Sequence, residues 1–478
     1  MPFDNTPSLR AQAWSLARLA LPIWGAEMAQ MAISLISISM VGHYSTLDQA
    51  AVSVGVALWV PLFLLMAGSF SGLTSVVAHH FGAQAPQKIR HDMWQMLWIT
   101  LVLGGLIISV VWCAAPGLMA LFNAPPALAT ESVRYIHALL TGLPALMIYL
   151  LLLAYSNGLS HTRPNLLFNA LATTINVPIS CLLIYGGHVL DRLPIPLPAW
   201  LLAIPAHGAQ GCGIASAITY WSIMLCMLAY TLRGRVYRDV KLWAKPIMPH
   251  WSRICELLHL CAPLGVAVLA EVTLFTMVAL LCAPLGERVV AAHEVTGQLI
   301  ALMFMAPMAF GSAVMITLST YRGRQQPAMA RRTALLGLGG AAAIAAANTL
   351  FMLMFGRQLL GIFTSDQDVL ALALHLMVLG MIFQLSDALQ VVMSSILRGY
   401  KDTRIVMVIT VLSYWAVGMV VGLALAKGWL GHPPLGVYGY WIGIVVGLTV
   451  AAVLLGLRLY HTIKQDMRQS TSAAHSQH

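Results

Sequence analysis

Residues 262–286 read APLGVAVLAEVTLFTMVALLCAPLG. The run is apolar except for one carboxylate, Glu271, which lies 18 residues after Arg253 and 16 before Glu287. On a helix rising 1.5 Å per residue those flanking charges are roughly 27 Å and 24 Å away. Glu271 therefore falls near the middle of a bilayer-length helix, where an ionised carboxylate costs roughly 2.5–3.5 kcal/mol. A group that costly needs a purpose, and the chain around it is read with that in view.

The surroundings fit a membrane. Of the 478 residues, 59% are hydrophobic and only 9% charged, against about 25% charged in soluble domains. Twelve apolar runs of spanning length follow one another, at about 14–41, 50–79, 94–115, 133–157, 166–186, 211–232, 255–284, 290–320, 333–356, 369–397, 405–426 and 435–457. Each is too long and too uniformly apolar for a barrel strand, so helices are expected. The formal charge of +10 is carried by short loops. One alternating set of loops holds 21 of the 26 Lys and Arg residues and the other set holds 5. That asymmetry predicts cytoplasmic termini and a cytoplasmic 233–254 linker, and it argues against a nucleic-acid partner. The linker is expected to be solvated or to meet lipid headgroups. The polar end, RQSTSAAHSQH from Arg468, is expected to be disordered.

The chain also repeats itself. At a constant offset of 241, Pro22 matches Pro263, Gly82-x-Gln84-x-Pro86 matches Gly323-x-Gln325-x-Pro327, and Thr162-Arg163 matches Thr403-Arg404. The register shifts only after the longer loop at 187–207, where Gly208 and Gly211 match Gly436 and Gly439. Each copy holds six spans, an even number, so the copies have the same orientation. The predicted fold is an all-α polytopic membrane protein with 12 transmembrane helices in two parallel-repeat six-helix bundles, an arrangement found in transporters. The expected division is a terminus at 1–13, bundles at 14–232 and 255–460 joined by the linker, and a tail at 461–478. Pro22, Pro144, Pro178, Pro263 and Pro307 are candidate bend points.

The repeat isolates what differs. Glu271 falls opposite Gln30, and a second deep acid, Asp387, falls opposite Leu146. Such a pair could load and release a proton, hold Na+ through its oxygens, or attract an organic cation. It could also be a hydrogen-bonded pair that pins two helices. Glu27 shares a helix face with Gln30, Glu294 follows His293, and Asp366 stands at the mouth of the tenth span. Seven cysteines show no metal spacing, and no phosphate-binding loop or nucleophile–base set occurs. These absences leave no cofactor, enzyme or ATP-driven pump expected.

Several stretches together, namely LALPIWGAEMAQ, VAHHFGAQ, NVPISCLLIYG, GAQGCGIA, APLGVAVLAEVTLF, APLGERVVAAHEV and LRGYKDTRIVM, resemble the multidrug and toxic compound extrusion (MATE) family, NorM-like branch. The likeness runs over about residues 14–460. It implies export of cationic, amphipathic drugs or dyes in exchange for Na+ or H+; a monomer in a bacterial inner membrane is the expectation set beside it. It implies that Glu271 and Asp387 bind the coupling ion, as Na+ ligands if Na+ is used. It assigns Asp366, Glu294 and Asn176 to the substrate cavity, with Glu27 and Gln30 as further lining candidates. One departure stands out: where the branch usually has an aspartate in the first span, this chain has Ser37. A related architecture, the lipid-linked saccharide flippase, is the alternative; it would need a cationic cavity, and the spans hold hardly any Lys or Arg.

Overall fold

The computed structural model describes residues 8–121, 125–187, 198, 202–364, 366–429, 431 and 433–475. Among them the regular structure is helical, as expected for a backbone that must satisfy its own polar groups in lipid. The elements are α1 (Leu9–Tyr44), α2 (Thr46–Gly82), α3 (Pro86–Leu121), α4 (Pro126–Leu140), α5 (Leu143–Gly158), α6 (Arg163–Tyr185) and α7 (Gly208–Arg233). A 3₁₀ turn, Arg235–Tyr237, opens the linker. Then come α8 (Trp251–Cys282), α9 (Glu287–Gly323), α10 (Pro327–Phe363), α11 (Gln367–Gly399), α12 (Thr403–Lys427) and α13 (Val437–His475).

Eleven of these helices are long and apolar enough to span a membrane, and α4 with α5 makes a twelfth span bent by 45°. The bend has a local cause. Pro144 follows Gly142-Leu143, so the backbone there lacks an N–H to continue the ladder. Pro22, Pro178, Pro263 and Pro307 lie inside unbroken helices. The expected bends at these four are thus accommodated without interrupting the span.

The 241-residue repeat is visible in the backbone. Helix α2 spans Thr46–Gly82 and α9 spans Glu287–Gly323, both 37 residues long. Their ends and the starts of α3 and α10 are displaced by the same offset. Four non-glycine residues in left-handed conformation pair in the same way: Gln84 (φ 52°) with Gln325 (φ 59°), and Ser160 (φ 59°) with Lys401 (φ 65°).

The chain forms two compact units. One comprises the chain through Trp24, Thr74–Ala85 and the chain from His259 onward; the other comprises Gly25–Leu73 and Pro86–Leu258. In the first unit the end of α2 packs on the end of α9 through a matched pair of contacts. A methyl group on Gly82 would overlap the Thr320 carbonyl, and one on Gly323 would overlap the carbonyl of His79, the repeat mate of Thr320. Ser75 Oγ lies 3.0 Å from Ser319 Oγ and donates to the Arg398 carbonyl at 3.0 Å. Helices α12 and α13 approach closely through Gly418, Gly422, Gly443 and Gly447, the small residues that let membrane helices meet.

In the second unit the linker is exposed along most of its length and is also tied to α3 by hydrogen bonds. Trp94 Nε1 donates to Leu242 O (2.9 Å), Trp98 Nε1 to Ile247 O (2.9 Å) and Gln95 Nε2 to Met248 O (3.0 Å). Gln95 Oε1 accepts from His250 N at 2.6 Å. Arg253 meets Asp92 through two bonds, Nε–Oδ1 at 2.8 Å and Nη2–Oδ2 at 2.7 Å. Tyr237 is buried, its hydroxyl 2.8 Å from Ser156 Oγ, and burial pushes its pKa up to about 12. These bonds satisfy carbonyls that an extended loop would otherwise leave to water. The tail departs from expectation. Helix α13 continues to His475, with Asp466 paired to Arg322 at 2.8 Å; residues 476–478 lie outside the described residues. Most of the 187–207 loop also falls outside them.

Candidate functional site

Glu271 is on α8 and Asp387 on α11, within the first unit and in electrostatic range of each other. Asp387 is buried, 3% exposed, and Glu271 is half-buried. The apolar sequence around them builds the enclosure. Leu274, Phe383 and Tyr414 belong to one core cluster, each placed about a turn from an acid or facing both. One turn before Asp387, Gln384 accepts from Asn348 Nδ2 at 3.4 Å, and Asn348 also donates to Met303 O at 2.9 Å. The Arg398 guanidinium, at the end of α11, lies in electrostatic range of Glu271. Two carboxyls in an apolar core, with one distant cation, can hold one small positive charge and lose it again.

Part of this environment was not singled out in the sequence. Helix α12 contains a π-helical stretch, Leu412–Met419. It presents Tyr414, 1% exposed, beside the two acids. Trp415 Nε1 donates to the Ala270 carbonyl at 3.1 Å and fastens the stretch to α8 next to Glu271. The polar-aromatic triplet Ser413-Tyr414-Trp415 in an apolar span was the available signal.

The second unit has a different character. Ser37 Oγ donates to Asn176 Oδ1 at 3.3 Å, Ser180 Oγ donates to the same oxygen at 3.2 Å, and Asn176 Nδ2 donates to Thr219 Oγ1 at 3.2 Å. Two of the expected site residues, 139 positions apart, thus meet in a buried network made of neutral groups. Glu27 lies in electrostatic range of Tyr149, whose hydroxyl accepts from Asn169 Nδ2 at 3.2 Å. Gln30 is exposed and its carbonyl accepts from Ser34 Oγ.

Asp366 and Glu294 are both exposed. The Asp366 carboxylate caps α11, accepting from Asp368 N (2.9 Å) and Val369 N (3.3 Å). Asp368 pairs with Arg288 at 2.6 Å. His293 packs edge-on against Trp441, 5.8 Å between centroids. All seven cysteines are free thiols. Among the described residues, no group of three or more His, Cys, Asp or Glu side chains is placed to hold a metal ion.

Comparison with known proteins gives a consistent result. The MatE family model matches residues 22–182 and again 263–423, the same 241-residue displacement seen in the sequence and the backbone. The chain is 34% identical to the multidrug resistance protein PmpM of Pseudomonas aeruginosa, covering 98% of this chain and 95% of that protein. It is likewise 34% identical to the probable multidrug resistance protein NorM of Shewanella oneidensis, covering 98% of each. Among solved structures, the eukaryotic MATE transporter AtDTX14 superposes with a TM-score of 0.82 over 97% of this chain and 99% of that one, at 18% identity. A mutant of the Vibrio cholerae MATE transporter VcmN gives 0.82 at 16% identity over 96% of this chain and 98% of that one. The fold, the doubled family match and the full-length relatives agree: this chain is a multi-pass membrane protein of the MatE family, a NorM-like MATE transporter and not an enzyme.

Proposed function

We propose that the chain is a secondary antiporter that exports cationic, amphipathic drugs or dyes in exchange for Na+ or H+. The observation that carries this reading is the pairing of two acids within the spans of one unit. Glu271 and Asp387 face each other's field in one unit, while the polar network around Ser37 and Asn176 in the other is neutral. In this reading the coupling ion occupies the acid pair, neutralises it and lowers the affinity for a cationic substrate, which leaves. Loss of the ion to the other side of the membrane restores the negative charge and with it the affinity. Differential affinity between the two states is what couples the flows.

The names of the relatives, multidrug resistance proteins, support the substrate class. The loop charge asymmetry supports an inner-membrane protein with both termini in the cytoplasm. In the same proposal Asp366, Glu294, Asn176, Glu27, Gln30 and Ser37 belong to the substrate route. Residues 14–232 and 255–460 act as the two bundles, and the chain works as a monomer. The flippase alternative has no support from a cationic site.

The test is ethidium efflux from a pump-deficient bacterium expressing the chain. Glu271→Gln and Asp387→Asn are each expected to abolish efflux at near-normal membrane abundance. Full efflux in both variants would overturn the assignment. Proteoliposomes with a Na+ gradient or a pH gradient imposed separately identify the ion.

A further inference from the structure

We infer that the Tyr414 hydroxyl is a third ligating group of the cation site formed by Glu271 and Asp387. The inference rests on the reading of that acid pair given above.

The first observation is an oxygen with nothing to do. Tyr414 is 1% exposed and its hydroxyl has no hydrogen-bond partner. An unsatisfied buried hydroxyl costs about 1–3 kcal/mol. Phenylalanine would fill the same space without that cost. The hydroxyls of the buried Tyr155 and Tyr400 also lack a partner, so the case for Tyr414 turns on where its oxygen is held.

The second observation is where that oxygen is held. The π-helical stretch Leu412–Met419 interrupts α12, and such turns occur often at functional sites because they re-aim side chains. The Trp415–Ala270 bond, 3.1 Å, ties the stretch to the residue before Glu271. Tyr414 shares its core with Leu274, three residues after Glu271, and with Phe383, four residues before Asp387. Both carboxyls act on the Tyr414 hydroxyl electrostatically.

The third observation is what else is available. Among the described residues no third acid, His or Cys joins the pair in a metal-holding group. A small hard cation there must complete its shell with neutral oxygens. The Tyr414 hydroxyl is such an oxygen. Gln390 Oε1 is also buried without a partner, on α11 three residues after Asp387. The chemistry serves either ion. A phenol oxygen can coordinate Na+ with a lone pair, or accept a hydrogen bond from whichever carboxyl carries H+. In both cases the unsatisfied oxygen gains its partner when the site is loaded.

The test uses the purified full chain in proteoliposomes, driven by a Na+ gradient in one arm and a pH gradient in the other. Tyr414→Phe is expected to raise the half-saturating concentration of the driving cation about tenfold, as fits loss of one neutral ligand. The cation-free variant should melt at the parent temperature or higher, while the stabilisation produced by adding the cation shrinks. An unchanged cation dependence with an unchanged cation-induced melting shift overturns the inference. A cation-free variant that melts several degrees lower or fails to fold also overturns it, because the hydroxyl would then be structural. The underlying reading fails separately, if Glu271→Gln and Asp387→Asn keep full cation-driven efflux.

Discussion

Arg253 reaches back across 161 residues to grip both carboxylate oxygens of Asp92, at 2.8 and 2.7 Å. Asp92 is almost wholly buried, with 3% of its side chain exposed, and Arg253 bonds both of its oxygens. The pair closes the linker onto α3 in the first turn of α8. Asp92→Asn should cost about 1.5–3 kcal/mol, the range for hydrogen bonds to charged groups. Limited proteolysis between residues 234 and 250 is the readout: cleavage should be much faster in the variant than in the parent.

Gly82 and Gly323 have no room for a side chain, because each faces a main-chain carbonyl that cannot rotate away. Alanine at either position should destabilise by about 1–3 kcal/mol through overpacking and depress dye efflux. Gly105 and Gly339, which lie in helices with open space beside them, serve as controls. Alanine there should leave efflux intact and raise the melting temperature slightly, since glycine in a helix costs up to about 1 kcal/mol.

Ser37 stands where the family resemblance leads one to expect an acid. Its hydroxyl gives Asn176 Oδ1 one of two donors, the other being Ser180. Ser37→Ala should therefore cost about 1 kcal/mol and leave the dependence of ethidium efflux on the coupling ion at the parent value. A loss of coupled transport in this variant would move the coupling role into the second unit.

His161, between α5 and α6, has its pKa lowered from 6.5, first by burial and second by the nearby Arg163. Its Nε2 lies 3.0 Å from the Tyr230 hydroxyl. A lowered pKa means the folded chain binds fewer protons than the unfolded one. Stability is then complete above about 6.5 and declines as the pH falls below it. Thermal melts at pH 7.5 and 5.5 should show a smaller drop for His161→Gln than for the parent.

The spans, the repeat and the acid pair were legible because each leaves a local mark: an apolar run, a fixed displacement, a charge out of place. The broken span was half legible. Pro144 marked a bend, but that the helix stops at Leu140 and restarts at Leu143 was not marked. The linker was half legible for a physical reason. Its basic and aromatic composition suits a solvated loop, while the groups that hold it, Trp94, Gln95 and Trp98, lie about 150 residues earlier. Tyr414 escaped for another reason. Whether a span contains a π turn depends on packing against its neighbours, and helical periodicity alone does not report it. The helical tail likewise meets a partner distant in sequence, Arg322.

The left-handed residues at 84, 160, 325 and 401 also speak to the repeat. Such a conformation disfavours any residue but glycine, by roughly 1–2 kcal/mol, so its return at matched positions is a strict mark of shared geometry. Two glutamines occupy it at one matched position, and a serine and a lysine at the other. The two halves keep one backbone turn at matched positions while the side chains that occupy it differ. What differs between the halves is the chemistry at matched positions: Glu271 and Asp387 in one stand opposite Gln30 and Leu146 in the other.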